Sequence, residues 1–247
     1  MPYIEFGKDN QKASEIIIGL MRISKMTLAE VKNLIDASLD VGINFLDIAD
    51  CYAKGKCEEI LGEVFAANPG LRDKVILQTK CGIRIDDDFT WFDFSKEHIL
   101  EAADASLKRM KVDSVDCLLL HRPDALTEPD EIAEAFTELH DAGKVKNFGV
   151  SNMNPIMMER LRAVVPFPIV TNQVQLSCAF TPSLNAGFNV NMENDHAIMR
   201  DGGILEYCQS NGIVIQARVK ESAAATDVTL SKKEWYEIYL SAGNVLP

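Results

Sequence analysis

The chain has 247 residues, 47% of them hydrophobic and 25% charged, enough apolar material for the core of one large α/β domain or two smaller ones. A net charge of −12 repels phosphate backbones and argues against nucleic-acid binding. No apolar run approaches the ~18 to 20 residues that span a bilayer, and the polar start MPYIEFGKDNQKASE lacks a signal-peptide core, so the expectation is a cytoplasmic protein without membrane contact.

Apolar runs of strand length alternate with amphipathic runs of helix length. The first strand is EIIIGL. A helix begins at Thr27, which makes a capping box with Glu30, and carries Val31, Ile35 and Leu39 on one face before Gly42 ends it. Strand two is NFLDIA, and a helix from about Lys56 follows with Ile60, Leu61, Val64 and Phe65. Strand three is KVILQTK. A long polar loop then contains Trp91 and Phe92, which suit either a pocket lining or a packed loop core. Ser95 opens a helix to about Met110. Strand four is DCLLLH, and its helix runs from Pro129 to about Ala142. Strand five is NFGVS, with Asn154 as the cap of the next helix. Strand six is IVTNQVQ. An Asn-rich loop, a helix from His196 to Ser210 and a seventh strand, GIVIQA, complete the pattern.

Seven β-then-α units predict a parallel sheet with helices on its outer face. No G-x-G-x-x-G follows the first strand, which counts against a Rossmann domain. Polar residues gather at strand C-termini, as at the top rim of a (β/α)8 TIM barrel. After Ala217 the chain runs straight into RVKESAAATDVTL, which reads as a helix, with no eighth strand and no seventh crossover helix. Seven strands would leave two apolar edges open. The expectation is a single barrel domain over 1–247 with a suspected gap, residues missing between 217 and 218; a genuine deletion there is the less favoured reading.

Asp47, Tyr52, Lys80 and His121 lie at or just beyond the ends of three apolar strands. A charge at the exit of a buried strand needs a partner or a task. An isolated phenol, with a pKa of about 10, is a reluctant acid at neutral pH, and an ammonium beside it makes it a readier one. Lys80 would supply that ammonium to Tyr52, Asp47 would hold Lys80, and His121 would hydrogen-bond a substrate oxygen. Taken one at a time the four have ordinary readings: a loop cap, a solvated strand end, a core histidine, a half-buried aromatic. The six cysteines form no C-x-x-C pair and join no histidine cluster at zinc-ligand spacing, so no metal site is expected. Nor does the sequence place a base beside Cys51 or Cys81, and neither is expected to be a nucleophile.

GINFLDIADCY resembles the signature of the aldo-keto reductase family, and LQTK, LLLHRPD, GKVKNFGVSNMN and TNQVQ resemble its later landmarks in the same order. The likeness spans nearly the whole chain. It implies a (β/α)8 barrel that reduces a small-molecule aldehyde or ketone with NADPH, using Asp47, Tyr52, Lys80 and His121 as the catalytic tetrad and Tyr52 as general acid. It also implies that Ser151, Asn152 and Gln173 hold the nicotinamide carboxamide, that Arg218 binds the 2′-phosphate and that Glu221 contacts adenine. Ile48 stands where the family usually has Thr, and Ser222 where it has Asn. The family's Lys-Ser phosphate segment and pyrophosphate loop are absent ahead of Arg218. The competing expectation is a nucleotide-sensing regulatory barrel without turnover, which would not need Tyr52 and Lys80 together.

Overall fold

A computed structural model of the chain describes residues 1–87, 89–177, 179–217 and 230–244. The polar N-terminus forms an antiparallel hairpin, β1 (Tyr3–Phe6) and β2 (Gln11–Ser14), that the sequence reading left without structure. Every predicted strand is present: β3 (Ile17–Gly19), β4 (Phe45–Asp47) and β5 (Ile76–Cys81) come first. A second hairpin, β6 (Ile83–Ile85) and β7 (Thr90–Phe92), occupies the loop after β5. Then come β8 (Val115–Leu120), β9 (Val145–Ser151), β10 (Ile169–Val174) and β11 (Val214–Ala217). In that hairpin Trp91 lies over the Arg84 guanidinium and donates to Asp86, so its ring is held within the loop.

Seven strands form one parallel sheet in the order β11-β10-β9-β8-β5-β4-β3. Gln78 on β5 and Gln216 on β11 are four strands apart in that order, which in a flat sheet means about 19 Å. Their side chains nevertheless exchange hydrogen bonds of 2.9 and 3.0 Å. The sheet therefore curls until its far strands face one another, and this is the (β/α) barrel expected. Among the described residues it has seven strands, and the edges β3 and β11 are not paired with each other.

Strand periodicity sorts the side chains. Phe45 and Asp47, then Ile76, Gln78 and Lys80, then Cys117 and Leu119 share one parity, and the apolar members pack with Phe6, Ala13 and Val170 inside the barrel. The hairpin β1–β2 closes the N-terminal end, with Phe6 edge-on to Phe45 at 5.0 Å. Leu46, Leu77, Leu118 and Leu120 have the other parity and pack against the helices.

The helical layer includes α1 (Leu28–Asp40), capped by the expected Thr27–Glu30 box, and α2 (Lys56–Ala67). Next come α3 (Lys96–Met110) behind Ser95, α4 (Pro129–Asp141), and α5 (Pro155–Arg162) behind Asn154. The Asn-rich loop carries an unexpected short helix, α6 (Pro182–Phe188). The helix expected over 196–210 is only α7 (Ile204–Ser210), because Gly202 and Gly203 take left-handed backbone (φ 76° and 81°) and break the run. The last element is α8 (Lys232–Ser241). Among the described residues no helix is long and apolar enough to cross a membrane.

Candidate active site

The four strand-end residues meet. Lys80, with no exposed surface, donates to both carboxylate oxygens of Asp47 at 2.6 and 2.7 Å, to the Ile48 carbonyl at 2.8 Å and to the Tyr52 hydroxyl at 3.4 Å. A buried ammonium needs this degree of satisfaction, because desolvating it costs several kcal/mol. Ile48 serves Lys80 through its backbone, so the usual Thr side chain is not required for that contact. The His121 ring meets the Tyr52 ring edge-on, centroids 5.7 Å apart.

Tyr52 sits on the turn between β4 and α2. The next three residues, Ala53, Lys54 and Gly55, all have left-handed backbone (φ 51°, 53° and 86°). For the two that are not glycine this costs roughly 1 to 2 kcal/mol each. The tight reversal brings the phenol back over the strand ends, and the Tyr52 amide closes it by donating to the Ala49 carbonyl at 3.2 Å.

Ser151, Asn152 and Gln173 lie together at the neighbouring ends of β9 and β10. The Asn152 amide donates to the Gln173 carbonyl at 2.9 Å, and its side chain donates to Ser151 Oγ at 3.0 Å. Asn152 has φ 51°, a conformation that asparagine tolerates better than most residues. A line of side-chain amides joins this group to the tetrad: Gln173 donates to Gln216 Oε1 at 3.2 Å, Gln78 donates to the same oxygen at 2.9 Å, and Gln78 also donates to Asp47 at 2.6 Å. Sequence reasoning missed Gln78 and Gln216, although a Gln inside VILQTK or GIVIQA is a polar group in an apolar strand and so needs a partner. Arg218 and Glu221 lie outside the described residues.

Behind Tyr52 is a second polar layer that the sequence reading did not single out. Glu58 on α2 is fully buried, accepting from Thr79 Oγ1 at 2.6 Å and from Arg109 Nε and Nη2 at 2.8 and 2.7 Å. Burial, and then the Glu58 carboxylate, push the neighbouring Asp50 carboxyl up to about 7, against the opposing pull of the Cys51 amide, Arg109 and Lys80. Burial and Asp50 push the Cys51 thiol up to about 12. The expectation that Cys51 has no base beside it fails: His121 Nδ1 is 3.5 Å from Cys51 Sγ. Seventy positions separate the two in sequence, and only the curl of the sheet brings them together.

The model of the Aldo/keto reductase family matches residues 15–219. Oxidoreductase YdhF of Escherichia coli is 36% identical over 180 residues, which are 70% of this chain and 60% of that protein. A 6-dehydroglucose reductase of Agrobacterium fabrum is 37% identical over 188 residues, 72% of this chain and 63% of its own length. The chain thus spans under two thirds of the length of these curated relatives. The solved structure of aldo-keto reductase AKR11C1 from Bacillus halodurans, in its holo form, shares the fold with a TM-score of 0.71 at 24% identity, covering 97% of this chain and 76% of that one. On the extent of the family match and the identity to these relatives, the chain belongs to the aldo/keto reductase family.

Proposed function

We propose that the protein reduces an aldehyde or ketone to an alcohol, with Tyr52 as the proton donor and NADPH as the reductant. The observation that carries this reading is the Lys80 amine 3.4 Å from the Tyr52 hydroxyl, backed by both oxygens of Asp47. Ser151, Asn152 and Gln173 present hydroxyl and amide groups at adjoining strand ends, a donor and acceptor set that fits the carboxamide of a nicotinamide. A reduced nicotinamide bound there would supply a hydride to the carbonyl carbon.

The chain's residues handle the charge that appears on the carbonyl oxygen. Tyr52 gives its phenolic proton to that oxygen, and Lys80 stabilises the negative charge left on the phenol. A unit charge 3.4 Å from another interacts by roughly 5 kcal/mol at an effective dielectric of ~20. Asp47 offsets part of that field and holds the amine at one distance. His121, beside the Tyr52 ring, hydrogen-bonds the substrate oxygen. The preference for NADPH rests on Arg218, which matches the family position for the 2′-phosphate; Glu221 matches the position that contacts adenine, which both cofactors share.

We further propose that additional residues stand between Ala217 and Arg218 in the whole protein and complete the barrel. Among the described residues the β3 and β11 edges are unpaired, which supports this, and intact mass of the natural protein tests it. For the activity, oxidation of NADPH and of NADH is followed with a panel of aldehydes and ketones. Turnover with NADPH supports the proposal. Tight NADPH binding without turnover on any carbonyl would favour the regulatory barrel.

A further inference from the structure

Three side chains of unlike chemistry meet beyond the ends of β4 and β8. A carboxylate oxygen of Asp50, Cys51 Sγ and a ring nitrogen of His121 all lie within 4.8 Å of one another. The sulfur is 3.5 Å from His121 Nδ1. A thiolate and an imidazole bound to one zinc ion, at about 2.3 and 2.0–2.1 Å with a tetrahedral angle between them, stand about 3.6 Å apart. Two of the three donors therefore already have the spacing of ligands to a common ion. Asp50 brings an independent sign: among the described residues, its Oδ1 is buried and has no hydrogen-bond partner. That oxygen carries the cost of burial without a bond to offset it, although the other side of the carboxyl feels the Cys51 amide.

The donor set narrows the occupant. Magnesium and calcium take oxygen ligands almost exclusively, whereas one sulfur, one nitrogen and one carboxylate suit a borderline ion such as zinc, with a fourth position left for water. We propose that Asp50, Cys51 and His121 form a binding site for a thiophilic divalent cation, with zinc as the best fit, and that filling it stops carbonyl reduction. Binding releases the thiol proton to solvent and forms a bond from the cation to each of Sγ, Nδ1 and a carboxylate oxygen. No oxidation or reduction is involved. The ring of His121 is then fixed to the ion, and a double positive charge enters the neighbourhood of the Lys80 amine and the Tyr52 phenol. The inhibitory consequence rests on the reductase reading, and the binding itself does not.

The test uses the full chain, stripped of metal, with cobalt(II) as the probe. One equivalent should produce a thiolate-to-cobalt charge-transfer band and the intense visible bands of a four-coordinate ion, and zinc should displace both. Cys51→Ser should lose the charge-transfer band, and Asp50→Asn should bind at least tenfold more weakly. A second measurement needs no variant: zinc should slow alkylation of Cys51 by iodoacetamide at least tenfold, as read by peptide mass spectrometry. A missing band, a band that persists in Cys51→Ser, or alkylation of Cys51 at the same rate with and without zinc would overturn the site. In the activity arm, zinc should abolish NADPH-dependent turnover over the concentration range that displaces cobalt, and a chelator should restore it. Cobalt binding as described with turnover untouched by zinc would overturn the inhibition and leave the site standing. Absence of turnover in the metal-free protein would overturn the reductase reading and the inhibition with it, while the spectra still decide the site.

Discussion

The amine of Lys80 stands between a carboxylate and a phenol: both oxygens of Asp47 lie within 2.7 Å on one side, and the Tyr52 hydroxyl is 3.4 Å away on another. Lys80 is fully buried, so each partner bears on stability as well as chemistry. Breaking a buried ion pair from one side leaves an uncompensated charge and typically costs 3 to about 5 kcal/mol. Lys80→Met should therefore destabilise the protein by about that much. The double variant Asp47→Asn/Lys80→Met should cost less than the sum of the two single changes, because it leaves no orphaned charge. Urea unfolding of the four proteins gives the cycle. Strict additivity would mean that the pair is not coupled.

At the opposite end of the barrel, Asp116 makes the acid limb of stability predictable. Burial pushes its carboxyl up, but the Arg72 guanidinium, the Lys146 ammonium, the Leu77 amide and Gln11 outweigh that and hold it below the usual carboxylate range. The bonds involved are 2.8 Å from Arg72, 2.8 Å from Lys146 and 2.9 Å from Leu77. A group whose value is depressed on folding adds stability that is fully present above its unfolded value near 4 and is lost as pH falls through its folded value. The wild-type protein should lose stability steeply below about pH 4. Asp116→Asn should be less stable at neutral pH and show a shallower acid limb. Parallel curves for the two proteins, measured by urea unfolding across the acid range, would count against this role.

Gly62 is predicted to resist the usual helix improvement. In an exposed helix, glycine to alanine gains about 1 kcal/mol. At Gly62 a Cβ would collide with the Arg109 carbonyl oxygen and come within 2.8 and 2.9 Å of the Met110 backbone, where α2 packs on α3. Gly62→Ala should therefore destabilise, by about 1 to 3 kcal/mol. Because Arg109 holds Glu58 behind the site, the variant should lose activity together with stability. A thermal midpoint at or above that of the wild type would contradict the close packing of α2 on α3.

The strands, and the placing of Asp47, Tyr52, Lys80 and His121 at their ends, were legible because each rests on a local signal: apolar runs of strand length, with a polar residue where the run ends. The capping residues Thr27, Ser95 and Asn154 were legible for the same reason, since a cap acts within one turn. Parts of the chain that depend on distant partners were not. The hairpin β1–β2 earns its place by covering Phe45, which its own polar sequence does not announce. Gly202 and Gly203 interrupt a run that otherwise reads as one helix. The amide line from Gln173 through Gln216 and Gln78 to Asp47, and the meeting of Cys51 with His121, exist only once the sheet has curled.

The most direct test of the proton-donor role is Tyr52→Phe, which removes one hydroxyl and leaves the ring beside His121. The dissociation constant for NADPH should change by no more than about twofold, while the single-turnover rate of carbonyl reduction should fall on the order of 10² to 10⁴-fold, the range for losing a positioned acid. A variant that binds NADPH normally and reduces the carbonyl at the wild-type rate would show that the proton comes from elsewhere.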